Sequence, residues 1–342
     1  MATTRPAWRH PMALWAGFIV LLFAGYAVGW YAYAGWLDGK VKDGLEDLES
    51  RGIEVVCSDR HMAGFPFRIG IRCTQLQVDD TAQNLIWSAG AVRSAAQIYD
   101  QRRNVIEVDG PLNVEGDDFA MKADWRSMRG YVELSDPAFE IASVSTDAFS
   151  ADFEGGRFDT KSAAFHARPA PQSTGQASGR DLDIAGNFTD AVLDLVQQDT
   201  TRFTLTHDQT LVGGYTAIVE NGEAPIDFFK GGGELILRSV VLEPLSGGKL
   251  GLSGRLRLVD GGLLDGTLKI GLDDADAIGR FIAATQPEFG PLASGIAQGV
   301  GMLGQEATFG QSKMRAIEIT LNRGRAKVGF IGLGKIPPLF QD

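Results

Sequence analysis

The chain has 342 residues, and its 43 acidic against 32 basic side chains give a formal net charge of −11. That balance argues against nucleic acid as a partner and against docking on an anionic lipid surface through a basic patch. The length allows one long domain or two, and the 43 glycines show no collagen-like period, which suits many tight turns.

The first element is an uncharged run from Pro11 to Leu37. At about 1.5 Å per residue it is long enough to cross a hydrocarbon core of about 30 Å. Arg5, Arg9 and His10 precede it, whereas Asp38, Asp43, Glu46, Asp47 and Glu49 dominate the far side. The positive-inside rule then places residues 1–11 in the cytoplasm, a transmembrane helix at 12–37, and residues 38–342 outside as one β-rich domain. A cleaved signal is the alternative, with Ala32-Tyr33-Ala34 as a small-x-small site. The run is long for a signal, and Trp15, Trp30, Tyr31, Tyr33 and Trp36 near its ends suit interfacial belts. The expectation is an uncleaved anchor. No cysteine stands near a cleavage point to carry a lipid.

Beyond the run, Leu37, Val41, Leu45 and Leu48 recur at helical spacing among acids, predicting a short helix that continues out of the span and ends near Arg51-Gly52. The pattern then turns to β. Ile53–Cys57 and Arg68–Cys73 read as strands. Cys57 and Cys73 are the chain's only cysteines, and an exported compartment favours their pairing. Closing such a loop is worth roughly 3 kcal/mol in the chain-entropy model. His61 is near, but zinc needs a fourth ligand that the sequence does not suggest.

Asn104–Val108 and Tyr131–Leu134 predict further strands. The clearest hairpin is late. Leu250, Leu252, Leu256 and Leu258 point one way while Gly251, Ser253, Arg255 and Arg257 point the other. After Asp260-Gly261-Gly262 the alternation resumes with Leu264, Leu268, Ile270 and Leu272. One apolar and one polar face predict an antiparallel sheet covered on one side. Helices are few: Asp190–Gln198, and a region from Ala275 to Leu303 broken at Pro287. Its uncharged second half, Phe289–Gln305, carries Leu292, Ile296 and Val300 in a stripe, with Gly295 and Gly299 beside it for close approach to a sheet. Arg168–Ser178, rich in Pro, Ser and Gln, predicts a linker and a possible subdivision of the domain near 168–178.

Catalytic patterns are scarce. His61, His166 and His207 are scattered without metal-ligand spacing, and no Gly-x-Ser-x-Gly elbow is present. Gly247-Gly248-Lys249 lacks the following hydroxyl of a phosphate loop. Gly299–Gly304 matches a dinucleotide fingerprint by letter but follows a helical pattern instead of a strand. Asp273, Asp274 and Asp276 suit a helix start better than a cation. The reading is of a protein that is not an enzyme and uses no cofactor. The sharp local motif is Gly64-Phe65-Pro66-Phe67-Arg68, with Phe65 and Phe67 on one face of an extended segment and Pro66 at a strand edge.

Arg51-Gly52, the Gly64–Arg68 motif between two cysteines, Asn322–Gly329 and Gly334-Lys335-Ile336-Pro337-Pro338-Leu339 together resemble the envelope proteins of Gram-negative bacteria grouped as domain of unknown function 2125. The resemblance spans nearly the whole chain and implies a membrane-tethered periplasmic protein, with no catalytic residues to carry over. The late hairpins also resemble, in architecture alone, AsmA-like proteins whose one-sided sheets form lipid grooves.

The expected fold is therefore mainly β (α+β): one transmembrane helix, then a large, curved, mostly antiparallel sheet with a few packed helices. The expected function is shielding of a hydrophobic ligand, a lipid, at the bacterial inner membrane. Phe65 and Phe67 would stand at its entrance and Leu252, Leu256, Leu268 and Ile270 along its wall. An interaction scaffold with an ordinary core is the alternative. Room beside the Phe289–Gln305 helix separates the two.

Overall fold

One long helix and one connected β-sheet account for most of the computed structural model, which describes residues 9–81, 84–117, 119–136, 138–170, 179–196, 200–285 and 290–339. Helix α1 (Arg9–Ser50) joins the apolar run and the amphipathic segment without a break, about 63 Å in all. It stops where expected. The Arg51 and Gly52 amides bond the Leu48 and Glu49 carbonyls, and Gly52 takes the left-handed conformation that closes such helices (φ 86°).

The first strands are β1 (Ile53–Ser58), β2 (His61–Ala63), β3 (Arg68–Cys73), β4 (Gln75–Asp80), β5 (Leu85–Ala89), β6 (Val92–Gln97) and β7 (Asp100–Val108). Then come β8 (Leu112–Gly116), β9 (Phe119–Asp124), β10 (Ser127–Leu134), β11 (Phe139–Phe153), β12 (Gly156–Pro169), β13 (Leu182–Leu195) and β14 (Thr201–Val212). A helical turn at Tyr215–Glu220 and helix α2 (Pro225–Lys230) lead to β15 (Glu234–Pro244), β16 (Leu250–Val259) and β17 (Leu263–Leu272). Helices α3 (Ala275–Thr285) and α4 (Gly290–Leu303) precede β18 (Gln305–Phe309), β19 (Ser312–Asn322), β20 (Arg325–Val328) and β21 (Ile331–Lys335).

Every pairing is antiparallel. The main row runs β2–β3–β6–β7–β10–β11–β12–β13–β14–β15–β16–β17–β19–β20–β21 and does not close on itself. A second limb, β1–β4–β5–β8–β9, joins the far half of β11 at Ser150–Phe153. The Cys57–Cys73 disulfide ties the two limbs together at β1 and β3. The predicted late hairpin is present, with Val259 opposite Leu263 across the Asp260–Gly262 turn.

Three features differ from expectation. Asp190–Leu195, predicted as the start of a helix, continues β13, and Ala191 and Leu193 face Phe203 and Thr201 of β14. Its apolar residues suit either period, and pairing on both edges decides for strand. Gln197 and Gln198 lie outside the described residues. Phe65 and Phe67 do not share a face: residues 65–67 form a turn, in which Phe65 is half-buried and Phe67 is 69% exposed. Arg168 and Pro169 of the predicted linker belong to β12, whose Pro169 pairs with Leu182 of β13. Residues 171–178 lie outside the described residues, as do Pro287 and Phe289.

Helices α3 and α4 cover one face of the C-terminal strands, burying Ile278 and Val300 with Ile270, Leu272, Ile317 and Ile319. Asp274 caps α3 by accepting the Ala277 amide at 2.9 Å, which is the structural use of that acidic cluster. Gly299 lets α4 approach, since a Cβ there would stand 3.0 Å from Ile317 Cδ1. The opposite face of the same strands is closed by Phe309, whose ring lies over Gly251 and Gly271 and packs with Val241 and Met314.

Candidate functional site

Cross-strand register, rather than any local motif, organises the apolar face. Ser94, Ile106, Gly130, Val144, Phe165 and Gly186 are successive partners from β6 to β13. The row continues through His207, Val240, Leu252 and Ile270 to Ile317 on β19. Because side chains alternate along a strand, these residues share one face. At one end this face meets α1, where Ile69 is buried with Trp30 and Ala34. At the other end α3 and α4 cover it. Between the two the row is only partly covered: Ile106, Phe165, His207 and Val240 are half-buried, and Val144 is 38% exposed.

A run of rings crosses the uncovered stretch. Phe149, Phe158, Phe188, Phe165 and His207 follow one another with centroids 6.3, 5.3, 5.1 and 5.8 Å apart. Gly186 makes room for the last pair, since a Cβ there would fall 2.7 Å from Phe165 and 2.8 Å from His207. Burial pushes the His207 pKa below the ordinary histidine value, the nearby Asp208 charge opposing it in part. The ring is therefore neutral at pH 7, and its Nδ1 has no hydrogen-bond partner among the described residues. The rim is closed on one side by Tyr215 and Phe228, which pack with Leu182, Leu211 and Ile184. On the other side Trp125 packs with Val108 and Met128 and donates to the Val108 carbonyl at 2.7 Å.

The four residues predicted as an apolar wall sit at the covered end. Ile270 is buried, and Leu252, Leu256 and Leu268 pack against its cluster beneath α3 and α4. A cavity of about 120 Å³ remains there, bounded by Leu252, Ile270, Ile278, Ile282 and Ile296. It is smaller than the 300–1,000 Å³ typical of ligand pockets.

The Gly64–Arg68 motif is a clasp on α1. The Phe65 ring contacts Phe23, Trp30 and Tyr31 at centroid distances of 6.0, 5.5 and 5.8 Å. Tyr26 donates its hydroxyl to the Pro66 carbonyl, and Trp30 Nε1 donates to the Arg68 carbonyl at 3.1 Å. Tyr33 donates to Gln101 Oε1 at 2.6 Å, and Asp38 pairs with Arg60 at 3.0 Å. Positions 23, 26, 30, 33 and 37 recur at helical spacing, so one face of α1 carries most of the attachment, with Tyr31 and Asp38 beside it. Residues read from sequence as interfacial aromatics thus also hold the domain to the helix. The i, i+4, i+7 spacing of Tyr26, Trp30 and Tyr33 was the available signal.

The opposite face of the sheet holds an ionic cluster at β13–β15. Arg238 donates to Asp183 Oδ1 at 2.6 Å and to Asp208 at 2.9 Å, and Thr210 donates to Asp183 at 2.7 Å. Burial would raise the Asp183 pKa, but the hydrogen bonds from Thr210 and Arg238 and the charges of Arg238 and Arg168 outweigh it, leaving the carboxyl below its ordinary range. Among the described residues no three His, Cys, Asp or Glu side chains gather as metal ligands.

A single apolar helix, clasped to an open antiparallel sheet with one partly uncovered apolar face, defines the architecture. The family of uncharacterized proteins conserved in bacteria, DUF2125, matches residues 30–337, and the chain belongs to it. The match begins at Trp30, within the clasp. No curated protein and no solved structure matches the chain.

Proposed function

We propose that this is a non-enzymatic protein of the bacterial inner membrane, tethered by α1, whose domain lies in the periplasm and shields a lipid on the apolar row between α1 and α3–α4. One observation carries the reading: a largely apolar row, partly uncovered, that starts where the domain meets α1. Helix α1 is long and apolar enough to span a membrane. Charge asymmetry about its apolar run supports an outward-facing domain, and the disulfide suits an oxidising compartment. The uncovered row offers hydrocarbon chains a surface that water otherwise wets at a cost of roughly 25 cal/mol per Å².

The full chain is the sample for testing this, because Trp30 and Ala34 of α1 belong to the domain's packing. Native mass spectrometry of the detergent-solubilised chain is expected to retain a lipid adduct that survives detergent exchange. An apo mass under conditions that preserve the fold would overturn the reading.

An interaction scaffold is the second reading. It is favoured by α4, which lies shut over Leu252, Leu268 and Ile270 and leaves too little room beside it for a lipid.

A further inference from the structure

The acidic balance of the chain argues against a basic patch, yet the fold gathers four arginines in one groove. Arg68 and Arg72 on β3, Arg93 on β6 and Arg103 on β7 line a space of about 410 Å³ with Tyr131 and Glu107, on the face opposite the apolar row. Two of them are neutralised. Arg93 pairs with Asp109 at 2.8 Å and with Glu107 at 3.5 Å, and Arg103 pairs with Glu133 at 3.4 Å and with Asp100 at 3.7 Å. Arg68 and Arg72 have no carboxylate within salt-bridge reach among the described residues. Two guanidinium charges are left over in a groove otherwise balanced.

Their height on α1 says what they face. Trp30 Nε1 bonds the Arg68 carbonyl. Trp30 stands 18 residues beyond Met12, about 27 Å along the helix, close to the edge of a hydrocarbon core of about 30 Å. Phe67 and Tyr99, 69% and 78% exposed, project from the two turns that meet there, where the Ile98 amide bonds the Phe67 carbonyl at 3.1 Å. Exposed aromatics beside a span belong in the headgroup layer. Arg68 therefore opens the groove at the level of lipid phosphates, and a guanidinium binds phosphate through paired N–H donors.

We infer that the Arg68–Arg72 groove binds the phosphate of an anionic phospholipid headgroup in the leaflet that meets the domain. The inference rests on reading α1 as the anchor and does not require the apolar row to carry a ligand.

The full chain, reconstituted in nanodiscs of mixed phosphatidylglycerol and phosphatidylcholine and released for native mass spectrometry, gives the test. Wild-type protein is expected to retain phosphatidylglycerol over its share in the disc. Arg68→Gln with Arg72→Gln should lower that enrichment about tenfold, the size of one charge-assisted contact. The same charge removed at Arg323→Gln with Arg325→Gln should leave it unchanged. Arg68→Lys with Arg72→Lys keeps the charge but loses the paired donors and should retain part of the enrichment. Accelerated hydrogen exchange across β3 and β6 in the double Gln variant would mean that strand damage, not charge, was responsible, overturning the inference. Unchanged enrichment in the double Gln variant would also overturn it. So would displacement of the lipid by millimolar inorganic phosphate at constant ionic strength, which would mark a site for a soluble anion. Failure of the chain to enter discs refutes the anchor reading itself; entry without enrichment refutes only the headgroup site.

Discussion

Single residues in this protein are decided by what lies across the sheet from them. Gly251 and Gly271 are partners on β16 and β17, and the Phe309 ring fills the space that side chains there would occupy. A Cβ on Gly251 would stand 2.5 Å from that ring, and one on Gly271 closer still. Gly271→Ala should therefore destabilise the fold by about 1–3 kcal/mol through overpacking. Adding Phe309→Leu should restore part of the loss, a coupling that thermal melts of the single and double variants measure directly. Asp183 is decided the same way, by Thr210 and Arg238 on neighbouring strands. Its pKa is depressed on folding, so its contribution is fully present above the unfolded carboxylate value of about 3.9 and fades as pH falls through the folded value. Asp183→Asn should cost about 1.5–3 kcal/mol near pH 7. The gap from wild type should narrow in melts taken below about pH 4. The sequence displayed neither pair, because Gly251 and Phe309 are 58 positions apart and only register brings them together.

Elements were legible where one period dominated. The alternation of Leu250–Leu258 and Leu264–Leu272, broken on its apolar face by Gly254 and Gly266, still yields the observed hairpin, and the uncharged run yields α1. Legibility failed at β13, where DAVLDL suits both periods and the left-handed Asp190 (φ 48°) marks an irregularity in the strand. It failed in another way at Gly64–Arg68. The motif was visible, but its partner is helix α1, and no local pattern reports a contact made 40 residues away. The clasp makes the two phenylalanines unequal. Phe65→Ser removes ring contacts with Phe23, Trp30 and Tyr31 and should cost about 1–3 kcal/mol. Hydrogen exchange should then accelerate at the Arg68 and Ile69 amides while the β11–β14 core stays protected. Phe67→Ser, at an exposed position, should leave both exchange and melting unchanged. Equal effects of the two would mean that the turn, rather than the Phe65 ring, holds the helix.

For the whole molecule, the decisive distinction lies between the covered and uncovered ends of one apolar row. Val144 and Ile270 both belong to that row, separated by five strands from β12 to β16, yet their surroundings differ. Ile270 is 6% exposed beneath α3 and α4, whereas Val144 is 38% exposed. A carboxylate at Ile270 must be stripped of water to lie in this apolar cluster, so Ile270→Glu should cost more than about 4 kcal/mol and lower the melting temperature steeply. Val144→Glu keeps its charge at the surface and should change stability by about 0.5 kcal/mol or less. If the open stretch shields lipid, that silent substitution should nonetheless strip the retained adduct, because an ionised group in the path of a hydrocarbon chain must be desolvated when the chain binds. Melting and native mass spectra of the two variants separate the readings. Loss of adduct without loss of fold in Val144→Glu belongs to a lipid-shielding face. An adduct indifferent to Val144→Glu assigns the lipid to α1 and returns the row to the scaffold. A large drop in melting temperature for Val144→Glu would instead show that this end of the row is covered in solution, by a second copy or by a partner docked over β11 and β12.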